Sequence, residues 1–413
     1  MRRLLVAIAL AGSLAQAQTS REDLERMAVA ASPALKRSAA EVRAAAGRVK
    51  QAGLYPNPVL GFTGDHNTPA LDGGSLGGFA EQRFVTGGKL GLDRKTADQD
   101  RLAAEEMSRA ERLRVIAAID SLYYRGLGEQ RLVEVRTRMS ELTQRTAATS
   151  HELANLGQAD QPDVFQAEIE EQRAQLAVTM ARNALDRTWR EIQALVNQPG
   201  LRPSTLSGDL EPVDKLDPDT ALARILADSP QLRIAAIEEA RSSLGIRRAK
   251  AGVIPDIVAR GGVRYNRELH LDQIGGPLQQ VGPEGYFDVG ISIPIFDRNQ
   301  GAIQAAEAEA DQARAGVELE RQMVRTRFAA VYKEYADAMA AIELYRDNLL
   351  PKARQGFEMY QGNFRQMAAS YPKVLLAQRN LIQMEEEYIA QLVAAREARV
   401  EIDSLLVAMP TGR

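Results

Sequence analysis

The stretch from Gly88 to Asn155 has no proline and is rich in Ala, Leu, Glu, Arg and Gln, which predicts one unbroken helix. At ~1.5 Å per residue, a helix of about 65 residues would be ~100 Å long. Most helices of globular proteins run ~8–20 residues, so a helix of this length needs partner helices along its side. The pair Gln161-Pro162 begins the next helical segment after a short turn.

The second half of the sequence repeats the proline and glycine signals that mark the ends of elements in the first half. Ser229-Pro230 echoes Ser32-Pro33, and Tyr371-Pro372 echoes Gln161-Pro162. A Gly-x-x-Pro segment precedes the strand-like runs in both halves, at Gly53 and at Gly252. The order of these signals predicts an internal duplication, each copy reading helix, strand, strand, long helix, helix.

The Pro-rich segment that follows Gln198 is the natural boundary between the two copies. We predict a signal peptide over 1–17, a first repeat over 18–200, a linker over 201–218 and a second repeat over 219–413. Within the first repeat we expect strands at about 57–66 and 79–86, the long helix at about 88–155 and a helix at about 162–197. The corresponding ranges in the second are about 256–266, 285–295, 300–366 and 371–408.

The N-terminus has the three parts of a secretory signal peptide. Arg2 and Arg3 precede a short apolar run, and Ala15-Gln16-Ala17 fits a cleavage site before Gln18. The apolar run is shorter than the ~20 residues that a membrane-spanning helix needs. The whole chain carries 52 basic and 55 acidic residues, so a nucleic-acid partner has no electrostatic support. There is no cysteine, hence no disulfide and no thiol for a lipid anchor.

The strand-like segments of the second half alternate apolar and polar residues. Phe287, Val289 and Ile291 alternate with Asp288 and Gly290, and residues 257–266 alternate in the same way. This pattern is typical of outer-membrane strands with a wet interior, and equally of a half-buried sheet in a soluble protein. The signal peptide and the very long helices favour the membrane interpretation.

Four strands cannot close a barrel, because ~8 is the practical minimum and lipid does not tolerate open strand edges. If these strands span a membrane, several chains must share one barrel. The fold class we predict is therefore mainly helical, with a transmembrane β part built by oligomerisation.

Apolar residues recur at spacings of three and four along both long helices, which predicts coiled-coil seams. In the second long helix the series is Val317, Val324, Phe328, Val331, Tyr335, Ala338, Ile342, Tyr345 and Leu349. In the first it is Val135, Met139, Leu142, Thr146, Thr149, Leu153 and Leu156. We interpret these residues as packing positions without chemistry.

With this duplicated plan, the chain resembles the TolC family of outer-membrane efflux proteins. The resemblance lies in Leu54-Tyr55-Pro56-Asn57-Pro58, Phe84-Val85-Thr86-Gly87-Gly88-Lys89, Ile293-Pro294-Ile295-Phe296 and the two helix turns at Leu156–Val164 and Met367–Val374. It implies a homotrimer with a 12-stranded β-barrel in outer-membrane lipid, continued by a 12-helix periplasmic tunnel. It also implies a periplasmic adaptor and an inner-membrane pump of the RND type as partners. The details look most like the heavy-metal resistance branch of cobalt–zinc–cadmium type.

Nothing in the sequence predicts catalysis, a cofactor or a metal site. His66, His151 and His270 are the only histidines and lie in separate elements, whereas a metal site needs several convergent ligands. No nucleophile–base arrangement or phosphate loop is present.

The two helix turns are the candidate functional positions, because the resemblance places them at the periplasmic aperture. The aperture candidates are Asp160, Asp163, Arg365 and Lys373. The adaptor-contact candidates are Leu156, Gly157, Gln158, Ala159, Met367, Ala368, Ala369 and Ser370. A ring of aspartates would favour cations, and interchain pairs with the basic residues could instead hold the aperture shut. The plainer interpretation is solvated charges at helix N-termini.

The function we expect is the passive exit duct of a tripartite efflux system for metal ions or small toxic compounds. An exit duct for type I protein secretion would have the same architecture. A periplasmic coiled-coil adaptor is an alternative of another class, although two long helices that each follow two amphipathic strands disfavour it.

Overall fold

The computed structural model of the chain describes residues 19–65, 74–158, 160–211, 213–271, 278–365 and 371–407. Four strands lie in two pairs between helices: β1 (Val59–Asp65), β2 (Ser75–Phe84), β3 (Ile257–Leu271) and β4 (Leu278–Ile291). The helices are α1 (Arg21–Ala31), α2 (Pro33–Ala52), α3 (Lys89–Asn155), α4 (Gln161–Leu195), α5 (Pro218–Asp228), α6 (Pro230–Ala251), α7 (Gln300–Leu344), α8 (Leu350–Arg365) and α9 (Tyr371–Asp403). A π-helical turn, Tyr345–Leu349, joins α7 to α8.

Residue contacts divide the chain into two units, and both halves of the sequence contribute to each. The helical unit comprises the described parts of 1–37, 109–230 and 322–413, and the sheet unit comprises those of 38–108 and 231–321. Among the described residues, no helix has a stretch both long and apolar enough to pass through a membrane.

The two Ser-Pro pairs end one helix and begin the next with nearly the same backbone geometry. Ser32 has φ −55° and ψ 119°, and Ser229 has φ −56° and ψ 124°. Extended ψ values are expected here, because the residue before a proline is disfavoured in the helical region. The Ser32 hydroxyl also accepts a hydrogen bond from the Leu35 N–H at 3.3 Å, which caps α2.

The sheet unit contains one antiparallel sheet in the order β1-β2-β3-β4, which leaves β1 and β4 at its edges. Its strands differ from their predicted ranges. Residues 75–78, expected in a glycine-rich loop, pair with β1 and β3, and β3 extends to Leu271. β4 ends at Ile291, four residues before the predicted end, because Pro294 lacks an N–H and Ile295 N–H bonds to Ile293 O in a tight turn.

The core of the helical unit collects large side chains from helices distant in sequence. Leu24 of α1, Ile119 of α3, Ile192 of α4 and Leu392 of α9 are all fully buried in it. The connector after α4 covers this core with Leu206. Two glycines of α3 make room: a Cβ at Gly126 would lie 2.7 Å from Leu206 Cδ1, and one at Gly128 would lie 2.4 Å from Val393 Cγ2.

The seam predicted for the second long helix is buried at six of its positions: Val324, Phe328, Val331, Tyr335, Ala338 and Ile342. The seam predicted for α3 is buried at its first position, Val135, but was wrong towards the end of the helix. Thr149 and Leu156 are exposed, and the buried positions there are the small residues Thr143, Ala147 and Ser150. The hydroxyl of Thr143 donates back to the helix carbonyl of Met139, which lets a polar residue lie in a packed seam.

Asp120 of α3 is a buried acid in the helical unit. Its side chain carries an Oδ1 that is buried without a hydrogen-bond donor, and its Oδ2 lies 3.9 Å from Arg21 Nη1. Burial and the neighbouring carboxyl of Glu25 raise the pKa of Asp120 to about 8, and the Arg21 guanidinium offsets only part of this. This raised pKa favours the protonated form of the Asp120 carboxyl at neutral pH.

We expect stability to fall as the pH rises towards 8, because the Asp120 carboxyl has a pKa of about 8 when folded and about 3.8 when unfolded. Between these values the folded state binds more protons than the unfolded state, so the loss is at most ~1.4 kcal/mol per pH unit. Asp120→Asn should flatten the decline in the thermal unfolding midpoint between pH 5 and pH 9. The exposed Asp219→Asn should keep the wild-type decline, and an unchanged slope in Asp120→Asn would contradict the assignment.

Candidate functional site

The sheet has one apolar face that is exposed to a degree unusual for large hydrophobic side chains. Phe62 is 91% exposed, Leu60 78%, Phe287 73% and Val263 71%. The register places them on one side, with Leu76, Val289 and Ile291, because Gly78 is opposite Phe62 and Gly261 is opposite Phe287. A face of this kind requires an apolar environment or a partner.

The opposite face of the sheet is polar. It carries Glu81 and Arg83 from β2, Arg260 and Arg264 from β3, and Glu284 and Asp288 from β4, which the register places on the same side. Arg264 Nε donates to Glu284 Oε2 at 2.9 Å across the β3–β4 pair. A polar face opposite an exposed apolar face suits a sheet that lies between lipid and water.

A buried ionic cluster fixes the sheet to the start of α3. Asp256, directly before β3, accepts from Lys89 Nζ at 2.7 Å, from Arg83 Nη2 at 2.6 Å and from the Thr86 N–H at 3.2 Å. Lys89 Nζ also donates to Ile254 O at 2.6 Å. Burial of Asp256 acts to raise its pKa, but these donors outweigh it and lower the pKa to about 2. The acid is therefore ionised at every physiological pH.

Two glycines before Lys89 let the backbone bring Lys89 to Asp256. Gly87 and Gly88 have φ of 65° and 69°, the left-handed region that side chains disfavour. Gly87-Gly88-Lys89 is part of the predicted resemblance, whereas Asp256 was not predicted, because its contact with Lys89 crosses 167 residues.

The turn between α3 and α4 contains several of the predicted tip residues. Gly157 has φ 69°, and the Gln158 N–H bonds to Leu153 O at 2.8 Å, which closes the end of α3. Leu156 is 70% exposed. Ala159 lies outside the described residues.

The two aspartates of this turn flank the start of α4. Asp160 occupies the N-cap position with φ −82° and ψ 149°, yet its side chain makes no capping hydrogen bond and is exposed. Asp163 lies in the first turn, where the helix dipole stabilises a carboxylate. Within the described parts of the chain, neither aspartate forms an ion pair.

The second turn is described only in part. Arg365 ends α8 and Lys373 is exposed in the first turn of α9. Met367, Ala368, Ala369 and Ser370 lie outside the described residues. The helices beside both turns do come together, since Leu375 of α9 packs with Ala147 and Ala167 near the first turn.

A buried acid that the sequence did not predict joins α4 to α9. Glu170 of α4 is 7% exposed and pairs with Arg379 of α9 and, at 3.2 Å, with Arg173. Gln166 Nε2 donates to the same carboxylate at 3.2 Å. Nearer the turn, His151 Nε2 lies 2.9 Å from Glu168 Oε1, so this histidine pairs with an acid of the neighbouring helix.

We expect Glu170→Gln to destabilise the chain by about 1–2 kcal/mol, because it leaves two arginines without their shared carboxylate. The value is modest since the side chains of Arg379 and Arg173 are 47% and 68% exposed. Glu171→Gln, one residue away and bonded only to Gln175, should change stability by less than about 0.5 kcal/mol. Thermal unfolding in detergent would measure both, and equal effects would contradict a special role for Glu170.

This chain matches the model of the protein family described as "Outer membrane efflux protein" over residues 24–198 and 221–407. A relative is the cobalt-zinc-cadmium resistance protein CzcC of Cupriavidus metallidurans, 23% identical over 90% of this chain and 86% of that protein.

Solved structures of outer-membrane proteins share the fold, among them those of CusC and VceC. The chain of CusC matches with a TM-score of 0.75 and 20% identity over 93% of this chain and 91% of its own. The outer membrane protein VceC of Vibrio cholerae matches with a TM-score of 0.75 and 18% identity over 94% of this chain and 96% of its own. The mainly helical fold with a small antiparallel sheet and the predicted family are thereby confirmed. The chain belongs to the outer membrane efflux protein family.

Proposed function

We propose that this chain is one of three identical subunits of an outer-membrane channel, the passive exit duct of a tripartite efflux system. The observation that carries the proposal is the four-stranded sheet, with an exposed apolar face and two edge strands. In lipid, the backbone groups along the outer sides of β1 and β4 need partners, because no water is available to them. Antiparallel pairing of each β4 with the β1 of a neighbouring copy supplies them.

Three copies of the four-stranded sheet give twelve strands, enough for a closed barrel with a water-filled interior. The apolar face would then meet lipid and the polar face would meet the channel water. The helices α3, α4, α7, α8 and α9 of three copies would form the periplasmic tunnel. Its far end would carry the two turns, where a periplasmic adaptor docks and an inner-membrane pump of the RND type delivers the cargo.

The cargo we propose is divalent metal ions, with small toxic compounds as the broader class. Support comes from CzcC, whose name assigns it to cobalt, zinc and cadmium resistance and which aligns over most of this chain. The chain would not be an enzyme, and the pump would supply the energy of transport.

Deleting the gene in its native host tests this function. We expect greater sensitivity to Co²⁺, Zn²⁺ and Cd²⁺, restored by the full gene, and recovery of the protein in the outer-membrane fraction as a trimer that dissociates on heating. Unchanged metal sensitivity together with loss of a secreted protein would instead favour type I secretion. A stable monomer that needs no detergent would contradict the channel itself.

The aspartates of the α3–α4 turn should influence ion passage. In the trimer, Asp160 and Asp163 would form threefold rings at the aperture, and such rings favour cations. We expect the double variant Asp160→Ala, Asp163→Ala to lower the K⁺ over Cl⁻ permeability ratio about twofold in planar bilayers.

The matched control is Asp209→Ala with Asp219→Ala, which removes the same charge from exposed positions outside the turn. Its permeability ratio should equal that of the wild type. If both double variants behave like the wild type, the turn aspartates do not line the aperture.

A further inference from the structure

The polar face of the sheet carries an aromatic rung between two arginines. The register aligns Gly61, Phe79, Gly262 and Tyr286 across the four strands. Arg260 and Arg264 lie two residues to either side of Gly262 and therefore on the same face. We call Phe79, Tyr286, Arg260 and Arg264 the arginine–aromatic layer.

The aromatic rings fill the space that side chains would take at Gly61 and Gly262. A Cβ at Gly61 would lie 2.5 Å from Phe79 Cζ, so the ring rests directly on the β1 backbone. A Cβ at Gly262 would lie 2.8 Å from Tyr286 Cζ. Larger residues at either position would displace the rings, which shows that the layer depends on both glycines.

The arginines of the polar face are held in different ways. Arg83 binds Asp256, and Arg264 binds Glu284 with Asp65 3.9 Å away. Arg260 instead has its Cζ 3.7 Å above the centre of the Phe79 ring, a cation–π contact. Its Nε is buried without a partner, and within the described residues no carboxylate lies within ion-pair distance of it.

This arrangement is notable because acids are available on both sides. Glu81 and Asp288 are the register partners of Arg260 on β2 and β4. A flexible arginine would pair with either acid, since both charges gain from it. The Phe79 ring instead holds the guanidinium, and within the described residues Arg260 forms no ion pair with either acid.

We propose that Arg260, held over Phe79, is a fixed positive charge on the wall of the channel that reduces the preference of the channel for cations. The inference rests on the proposed trimer, in which three copies of Arg260 would lie at one height around the water-filled interior. Fixed charge in a narrow aqueous passage raises the local concentration of the opposite ion.

Planar-bilayer recordings of the purified trimer in a KCl gradient test the site. Arg260→Gln should raise the K⁺ over Cl⁻ permeability ratio about twofold, with a smaller change at high salt, where charges are screened. Phe79→Leu leaves the formal charge unchanged but frees Arg260 to pair with Glu81 or Asp288, so it should shift the ratio in the same direction by less. Arg26→Gln removes an equal charge from an exposed position on α1 and should leave the ratio as in the wild type.

Two results would overturn the inference. One is an unchanged ratio in Arg260→Gln. The other is a Phe79→Leu channel that matches the wild type while Arg260→Gln differs, because the ring would then play no part in presenting the charge. Failure of the proposed function is distinguishable, since in that case the wild-type protein itself would form no conducting trimer.

Discussion

The structure depends on a four-stranded sheet that a single chain leaves incomplete. Its apolar side chains point outwards with exposures up to 91%, and its outer strands have backbone groups on their free sides. Neither condition is stable in water for an isolated subunit. The Asp256 cluster positions this sheet on α3 through contacts that stay ionised at any physiological pH. In the proposed trimer, the membrane and the neighbouring copies would satisfy the remaining backbone groups and apolar side chains together.

The sequence was most informative where a pattern is long and local. The proline-free stretch predicted α3 to within one residue at its start, because helix propensity accumulates over many turns. Alternation in residues 257–266 and 287–291 predicted which side chains share a face, because strands have a strict period of two. Strand ends were less predictable, since pairing extended β2 and β3 into segments whose glycines and polar residues signal a loop.

The residues that join distant segments were not predictable from one sequence. Glu170 and Arg379 are ordinary charged residues on helices that carry many others, and only the fold shows that this acid is buried. The same applies to Lys89 and Asp256. The seam of α3 near its end was missed because Thr143, Ala147 and Ser150 are small residues, which a search for large apolar side chains passes over.

The two long helical segments of the chain stay continuous by different means. α3 is continuous over 67 residues and uses Gly126 and Gly128, where a missing side chain lets Leu206 and Val393 approach. The second segment contains Pro351, which has no N–H for the carbonyl one turn earlier. A π-helical turn precedes it, in which the Leu350 N–H bonds to Tyr345 O, so that the helix direction continues into α8. The first segment therefore makes room by omitting side chains, and the second rearranges a hydrogen bond. Both keep the uninterrupted length that the wall of the proposed tunnel would need.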